Sequence, residues 1–270
     1  MKKVLILEAS PRSGWSAKAA RMLEGLLTGK NIEVKTAALR EEAIGYCRGC
    51  GVCIGKGEGY CPMHEDAAQK LLEEMLRADG VIIVTPNYAL QVPGLLKNLL
   101  DRLSFVFHRP RLFGRVFMSV VISGVYGGPK INKYLNETME FWGFRPVKGA
   151  SIPGALYPNE QRSEETEEKS RQKITEAAAR FIKALNSQKP RTPSFFRVAI
   201  FRATRTSMKH FDAALAPDRA HYEKNGWFDS AYYYSVALGP FKSLFGAFVD
   251  GVMKRMAKKE RKRKSAGLEK

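Results

Sequence analysis

Cysteine and histidine are scarce in this chain, with four of each among 270 residues. Long apolar runs are missing too. No stretch approaches the ~18 apolar residues of a bilayer span, which excludes a sequence-evident membrane helix. At the start, only Val4–Leu7 is continuously apolar before Glu8 interrupts it, too short for a signal peptide. The expected compartment is therefore the cytoplasm, where thiols stay reduced. The loop after the first apolar run carries neither Gly-x-Gly-x-x-Gly nor Gly-Lys-Ser. A dinucleotide fingerprint and a P-loop are thus absent. No nucleophile–base dyad is visible, which speaks against hydrolysis. Acidic residues are the minority, 27 against 45 Lys and Arg, for a net charge of +18. That excess is local. From Gln188 onward there are 18 Lys and Arg against 7 Asp and Glu, a net of +11, leaving +7 for residues 1–187. The basic character belongs mainly to the C-terminal third, and nucleic acid is not an expected partner.

What cysteine there is sits in fifteen residues: Cys47, Cys50, Cys53 and Cys61. Small residues between thiols let several sulfurs converge on one point. Structural zinc commonly uses two Cys-x2-Cys pairs across a longer loop. Three cysteines at a three-residue pitch suit a single [4Fe–4S] cluster better. Zinc and free, redox-switching thiols remain the alternatives at this stage. His64 follows closely and reads as an exposed loop histidine, or as a ligand if the metal is zinc. His108, His210 and His221 show no partner pattern.

Apolar runs at 3–9, 32–38, 80–85, 116–123 and 147–152 read as strands. Between them lie helical patterns at 17–27, 65–77, 92–106 and 131–142, and a long charged helix at 163–185 follows an approximate capping box at Ser163. Five alternations of strand and helix predict an α/β fold: a flavodoxin-like, doubly wound, five-stranded parallel sheet. Ligands in that topology bind beyond the carboxyl ends of the strands.

Three loops fall at such ends. Ser10–Ser16 offers the hydroxyls of Ser10, Ser13 and Ser16 and the guanidinium of Arg12, in front of a helix that opens near Ala17. A helix N-terminus with these groups suits one terminal phosphate, as in FMN. Pro86, Asn87, Tyr88, Ala89 and Leu90 form a stiff turn that can run along a flat ring. Ser123, Gly124 and Tyr126 can close the site, with Tyr126 able to stack. On the helix after the second loop, Lys97, Asp101 and Arg102 read as salt-bridging residues, with Asp101–Arg102 taken as a surface or inter-subunit pair. No catalytic side chain stands out.

The pieces Ser10–Ser16, Ala78–Tyr88 and Leu96–Leu103 resemble the NADPH-dependent FMN reductases of the flavodoxin-like superfamily. The cysteine run most resembles the iron–sulfur flavoproteins within that branch. The likeness covers about two thirds of the chain. It implies FMN on the Ser10–Ser16 and Pro86–Leu90 loops and a [4Fe–4S] cluster on Cys47, Cys50, Cys53 and Cys61. It also implies a homodimer or homotetramer, with flavin and cluster meeting across an interface. The expected activity is FMN-dependent oxidoreduction between a reduced donor, NAD(P)H or a ferredoxin-type partner, and an acceptor. The rival readings are an electron carrier without a substrate site and a zinc-stabilised module. Two features depart from the family: Gly14-Trp15 in the phosphate loop, where a Gly-Asn type pair is usual, and the tail.

The expected division is residues 1–187 as the flavin domain, with its cysteine-rich loop at 45–64, and 188–270 as an extension. Lys189–Pro193 reads as a linker. The aromatic stretch Tyr222–Tyr234 is expected to pack on the flavin domain or a second subunit. Phe241, Leu244, Phe245, Phe248, Val249, Val252, Met253 and Met256 recur at helical spacing and run into a basic cluster at 258–264. The preferred reading is a helix docked on protein; peripheral contact with an anionic membrane is the alternative.

Overall fold

The structure, a computed structural model, describes residues 1–154, 161–187, 190–210 and 215–265. Two compact units are present: residues 1–49 with 62–188, and residues 50–61 with 189–270. The elements in chain order are β1 (Lys2–Glu8), α1 (Trp15–Leu27), β2 (Ile32–Ala38), α2 (Val52–Gly55), α3 (Ala67–Arg77), β3 (Gly80–Pro86), α4 (Gly94–Arg102), β4 (Val116–Ser123), α5 (Gly128–Trp142), β5 (Arg145–Pro146), β6 (Ala150–Pro153) and α6 (Glu164–Leu185). Three helices follow: α7 (Phe195–His210), α8 (Ala216–Lys224) and α9 (Gly239–Ser265).

In the first unit the sheet order is β2-β1-β3-β4-β5, with β6 also paired to β4, and every pair is parallel. This is the flavodoxin-like order. β3 and β4 are buried along their whole length, which explains their unbroken apolar sequence. Val4, Ile6, Ile82, Val84, Met118 and Val120 pack with Leu23 of α1 and Ile174 and Phe181 of α6. The alternate residues Leu5, Leu7, Ile83 and Phe117 are equally buried on the opposite face, which right-handed crossovers assign to α3, α4 and α5. Each large side chain buried this way contributes about 1.5–3 kcal/mol.

Two elements differ from their sequence outlines. The fifth strand arrives as two short pieces, because Pro146 has no N–H with which to continue the ladder. The helix expected over 92–106 ends at Arg102; Leu103 leaves helical geometry and a 3-10 turn covers Ser104–Phe107. Ser163 caps α6 as expected, accepting from the Thr166 N–H, with Glu164, Glu165 and Glu167 in the first turn.

The second unit has its own core. Phe201 of α7, Tyr222 of α8, Trp227 and Tyr232 are all buried. Ring centroids lie 4.5 Å apart for Phe201–Tyr233 and 4.8 Å for Trp227–Tyr233. The Trp227 Nε1–H donates to the Tyr233 carbonyl at 3.0 Å, and the Tyr222 and Tyr233 hydroxyls meet at 3.2 Å. Burial, the Tyr233 hydroxyl and its bond push the Tyr222 phenol well above its ordinary range. The aromatic stretch therefore packs on α7 and on itself, correcting the expectation of an external partner. Asp250 of α9 ties the helices together, accepting from Arg202 at 2.8 Å, Arg205 at 2.6 Å and Thr206 at 2.6 Å. The short α2 packs against α8. Lys189 and Phe211 lie outside the described residues.

Candidate flavin site and cysteine loop

β1 pairs with β2 on one side and β3 on the other, so the chain switches direction between β1 and β3. A crevice at such a switch point is where this topology binds ligands. The loop after β1 presents α1 without a side-chain cap and without an acidic residue in its first turn. Its free N–H groups are therefore available to an anion. Ser10, Ser16 and Ala17 are buried, whereas Arg12 and Ser13 are exposed. The Ser10 hydroxyl accepts from the Arg12 N–H at 3.3 Å, which folds the loop back on itself.

Beneath this loop lies a residue the sequence reading missed. Glu8, 2% exposed, accepts from the Ser10 N–H at 3.1 Å and pairs with Arg40. Burial raises its pKa, and Arg40 and the Ser10 amide offset part of that rise. A glutamate closing an apolar strand was legible as a strand end, but not its distant arginine.

The loop after β3 is a tight hairpin turn. Tyr88 and Gln91 exchange both backbone bonds at 2.9 Å, and Ala89 and Leu90 sit at φ 49° and 62°. Two non-glycine residues in the left-handed region store strain, and such strain gathers at ligand sites. Pro86 is buried, while Tyr88, Ala89 and Leu90 are exposed. The Asn87 Nδ2 donates to the Tyr126 carbonyl at 2.6 Å, tying this loop to the one after β4. Gly127, at φ 98°, lets the loops meet: a Cβ there would lie 2.9 Å from Asn87 Nδ2 and Leu90 Cδ2. Gly124 and Tyr126 are exposed and Ser123 is buried.

Two buried polar atoms at this edge have no protein partner, Asn87 Oδ1 and Ser123 Oγ. A buried acceptor or hydroxyl left alone is costly, so both are free to meet a polar ligand. Together with the open α1 N-terminus, they fit a flavin bearing one phosphate.

The cysteine loop begins in the first unit, where α4 holds its stems. Asn98 Oδ1 accepts from the Cys47 N–H at 3.1 Å, and its Nδ2 donates to the Ile44 and Gly45 carbonyls, each at 3.1 Å. One turn on, Arg102 pairs with Asp66 at 2.8 Å and donates to the Met63 carbonyl at 2.6 Å. Asp66 also accepts from the Gly45 and Ala68 amides, each at 3.0 Å, the second capping α3. Arg102 is thus a buried partner of Asp66, while Asp101 pairs with Lys97 at 2.5 Å on the surface. This corrects the expected Asp101–Arg102 pair. Asn98 and Arg102 carried a signal that went unread: two polar residues at i and i+4 inside an apolar helix pattern.

All four cysteines are thiols; Cys47 and Cys50 are exposed, Cys53 and Cys61 half-buried. Cys47 belongs to the first unit and Cys50, Cys53 and Cys61 to the second. Gly51 caps α2 in the left-handed conformation at φ 69°, and Gly57 turns the chain after it at φ 116°. Among the described residues no group of three or more His, Cys, Asp or Glu side chains is gathered to hold a metal. The donor chemistry itself, thiols alone on a glycine-rich loop, is that of iron–sulfur ligation. His64 is exposed.

Fold and loops define a flavodoxin-like flavoprotein. Residues 2–156, more than half the chain, match the NADPH-dependent FMN reductase family, and the chain belongs to that family of FMN-containing oxidoreductases. It is 29% identical over 231 residues to an iron-sulfur flavoprotein of Archaeoglobus fulgidus, covering 84% of this chain and 100% of that one. To an iron-sulfur flavoprotein of Methanocaldococcus jannaschii it is 34% identical over 128 residues, 47% of this chain and 64% of that protein. To the quinone reductase of Escherichia coli K12 it is 38% identical over 91 residues, 34% of this chain and 48% of that enzyme. Among solved structures, RosB with bound 8-demethyl-8-formylriboflavin-5′-phosphate superimposes with a TM-score of 0.54 at 13% identity, covering 89% of this chain and 93% of that one. That likeness is one of fold. No helix among the described residues is long and apolar enough to cross a membrane.

Proposed function

We propose that the chain passes electrons between a reduced donor, NAD(P)H or a ferredoxin, and an acceptor, using FMN and a [4Fe–4S] cluster. The observation that carries this reading is the presence, on one chain, of an FMN-reductase loop set and a loop with four thiols and no other soft donor. When bound, the flavin supplies exchange of one or two electrons and the cluster exchange of one.

The chain's own residues position and insulate. The α1 N-terminus, with Ser10, Arg12, Ser13 and Ser16, holds the phosphate by charge-assisted bonds. Ala17 packs behind it. Pro86, Asn87, Tyr88, Ala89 and Leu90 follow the ring, where Asn87 Oδ1 accepts a ring N–H. Ser123 Oγ bonds the ligand from the other side, with Gly124 and Tyr126 at the mouth. Cys47, Cys50, Cys53 and Cys61 ligate the cluster, and Asn98 and Arg102 fix the loop stems. Tyr88, Leu90, Val125 and Tyr126 are 40%, 45%, 77% and 66% exposed. An apolar rim of that kind supports a homodimer in which a second subunit covers the site.

Anaerobic NAD(P)H oxidation with an artificial acceptor tests the reading. Turnover that depends on added FMN supports an enzyme with its own donor site. Turnover with reduced ferredoxin only would make the chain an electron carrier.

A further inference from the structure

α9 carries apolar side chains on two faces. Phe245, Val249, Met253 and Ala257 turn toward α7 and are buried or half-buried. Phe241, Leu244, Phe248, Val252 and Met256 turn the other way and are 80%, 73%, 66%, 37% and 54% exposed. Their spacing keeps them on one side of the helix for about 22 Å at 1.5 Å per residue. Phe195 and Phe196 of α7 are also exposed; Phe195 packs on Phe245 at 5.5 Å, and Lys242 lies over its ring at 5.6 Å.

The charge around this stripe has one sign. From Gly239 to Arg263 there are eight Lys and Arg and two carboxylates. Asp250 is buried among Arg202, Arg205 and Thr206, and Glu260 is half-buried on the α7 side. The exposed surface of α9 thus presents Lys254, Arg255, Lys258, Lys259, Arg261, Lys262 and Arg263 with no acidic residue among them. A second copy laid on the stripe would bring like charges together, with nothing on α9 to neutralise them. An anionic bilayer surface offers both complements: acyl chains for the phenylalanines and headgroups for the amines.

We propose that the outward face of α9 docks on an anionic lipid surface. Phe241, Leu244, Phe248, Val252 and Met256 enter the headgroup–acyl boundary, and the basic turns beyond Met253 hold the headgroups. The helix lies on the membrane and does not cross it. This goes beyond the proposed electron transfer and does not depend on it.

The test is flotation of the full-length protein with phosphatidylcholine vesicles, with and without phosphatidylglycerol. The protein should float only with the anionic vesicles, and high salt should release it, since headgroup attraction is screened. Phe241→Ser/Phe248→Ser and Lys258→Gln/Lys259→Gln/Lys262→Gln should each cut vesicle partitioning by about tenfold or more, with melting temperature and FMN content unchanged. Absence of flotation at low salt overturns the proposal. So does undiminished flotation of both variants. A serine variant that lowers the oligomeric state of a protein that never floats would show that a second copy covers the stripe.

Discussion

Arg12 is exposed and its loop is already closed by Ser10, so its side chain has little structural duty in the apoprotein. Arg12→Ala should weaken FMN binding by about 1.5–3 kcal/mol, the range for a hydrogen bond to a charged group, while the melting temperature of the apoprotein stays put. Fluorescence titration of FMN checks this; an unchanged dissociation constant means backbone amides alone carry the phosphate. Gly127 is the opposite case. Its φ of 98° and the 2.9 Å approach to Asn87 and Leu90 leave no room for a methyl group. Gly127→Ala should cost about 1 kcal/mol or more of stability and loosen FMN binding as the two loops separate. At this scale the sequence showed which residues carry polar atoms: Ser10, Asn87 and Ser123 stand where it put them. It did not show the strained turn at Ala89–Leu90, because neither residue type advertises a positive φ. Nor did it show Glu8–Arg40, whose partners are 32 positions apart.

Among the elements, the strands were the most legible, because burial on both faces writes itself as a continuous apolar run. α4 was legible as a helix but misread as to purpose. Its polar residues turn inward, and what they bind is a loop some 35 to 50 residues earlier, beyond the reach of periodicity. Arg102 and Asp66 are 4% and 11% exposed, so removing one leaves a buried charge. Arg102→Met should cost about 3–5 kcal/mol. Asn98→Ala should cost about 1–3 kcal/mol by stranding the Ile44 and Gly45 carbonyls and the Cys47 amide. Thermal melts give both values. Parallel iron assays should show the Asn98 variant losing metal before it loses FMN, since its bonds go only to the cysteine loop. Equal loss of both would place Asn98 in general stability. α9 was read as a helix that docks on protein by its apolar stripe; its stripe is doubled, and half of it faces outward.

At the scale of the whole molecule, the charge asymmetry between the two ends of the sequence pointed to a separate C-terminal part, and aromatic residues give that part a core. The grouping of residues 50–61 with it was not legible, since it depends on tertiary packing of α2 on α8. Acid should test the second unit through Asp250. Burial raises its pKa, but the bonds from Thr206 and Arg205 and the charges of Arg205 and Arg202 outweigh burial and hold it below 3.8. A lowered folded pKa adds stability above the ordinary value and loses it as pH falls through the folded value. Stability of the second unit should therefore decline as pH drops below 3.8. Asp250→Asn should be less stable at neutral pH and flatter in acid; melts across that range decide it. The family and its FMN chemistry rest on the sheet and its three loops, and the electron path rests on the thiols. The most direct measurement is the FMN, iron, acid-labile sulfide and zinc content of anaerobically purified protein, wild type beside Cys50→Ala. The account predicts one FMN with about four iron and four sulfide per chain, and retention of FMN with loss of iron and sulfide in the variant. FAD in place of FMN, zinc in place of iron, or iron near four in Cys50→Ala would contradict it.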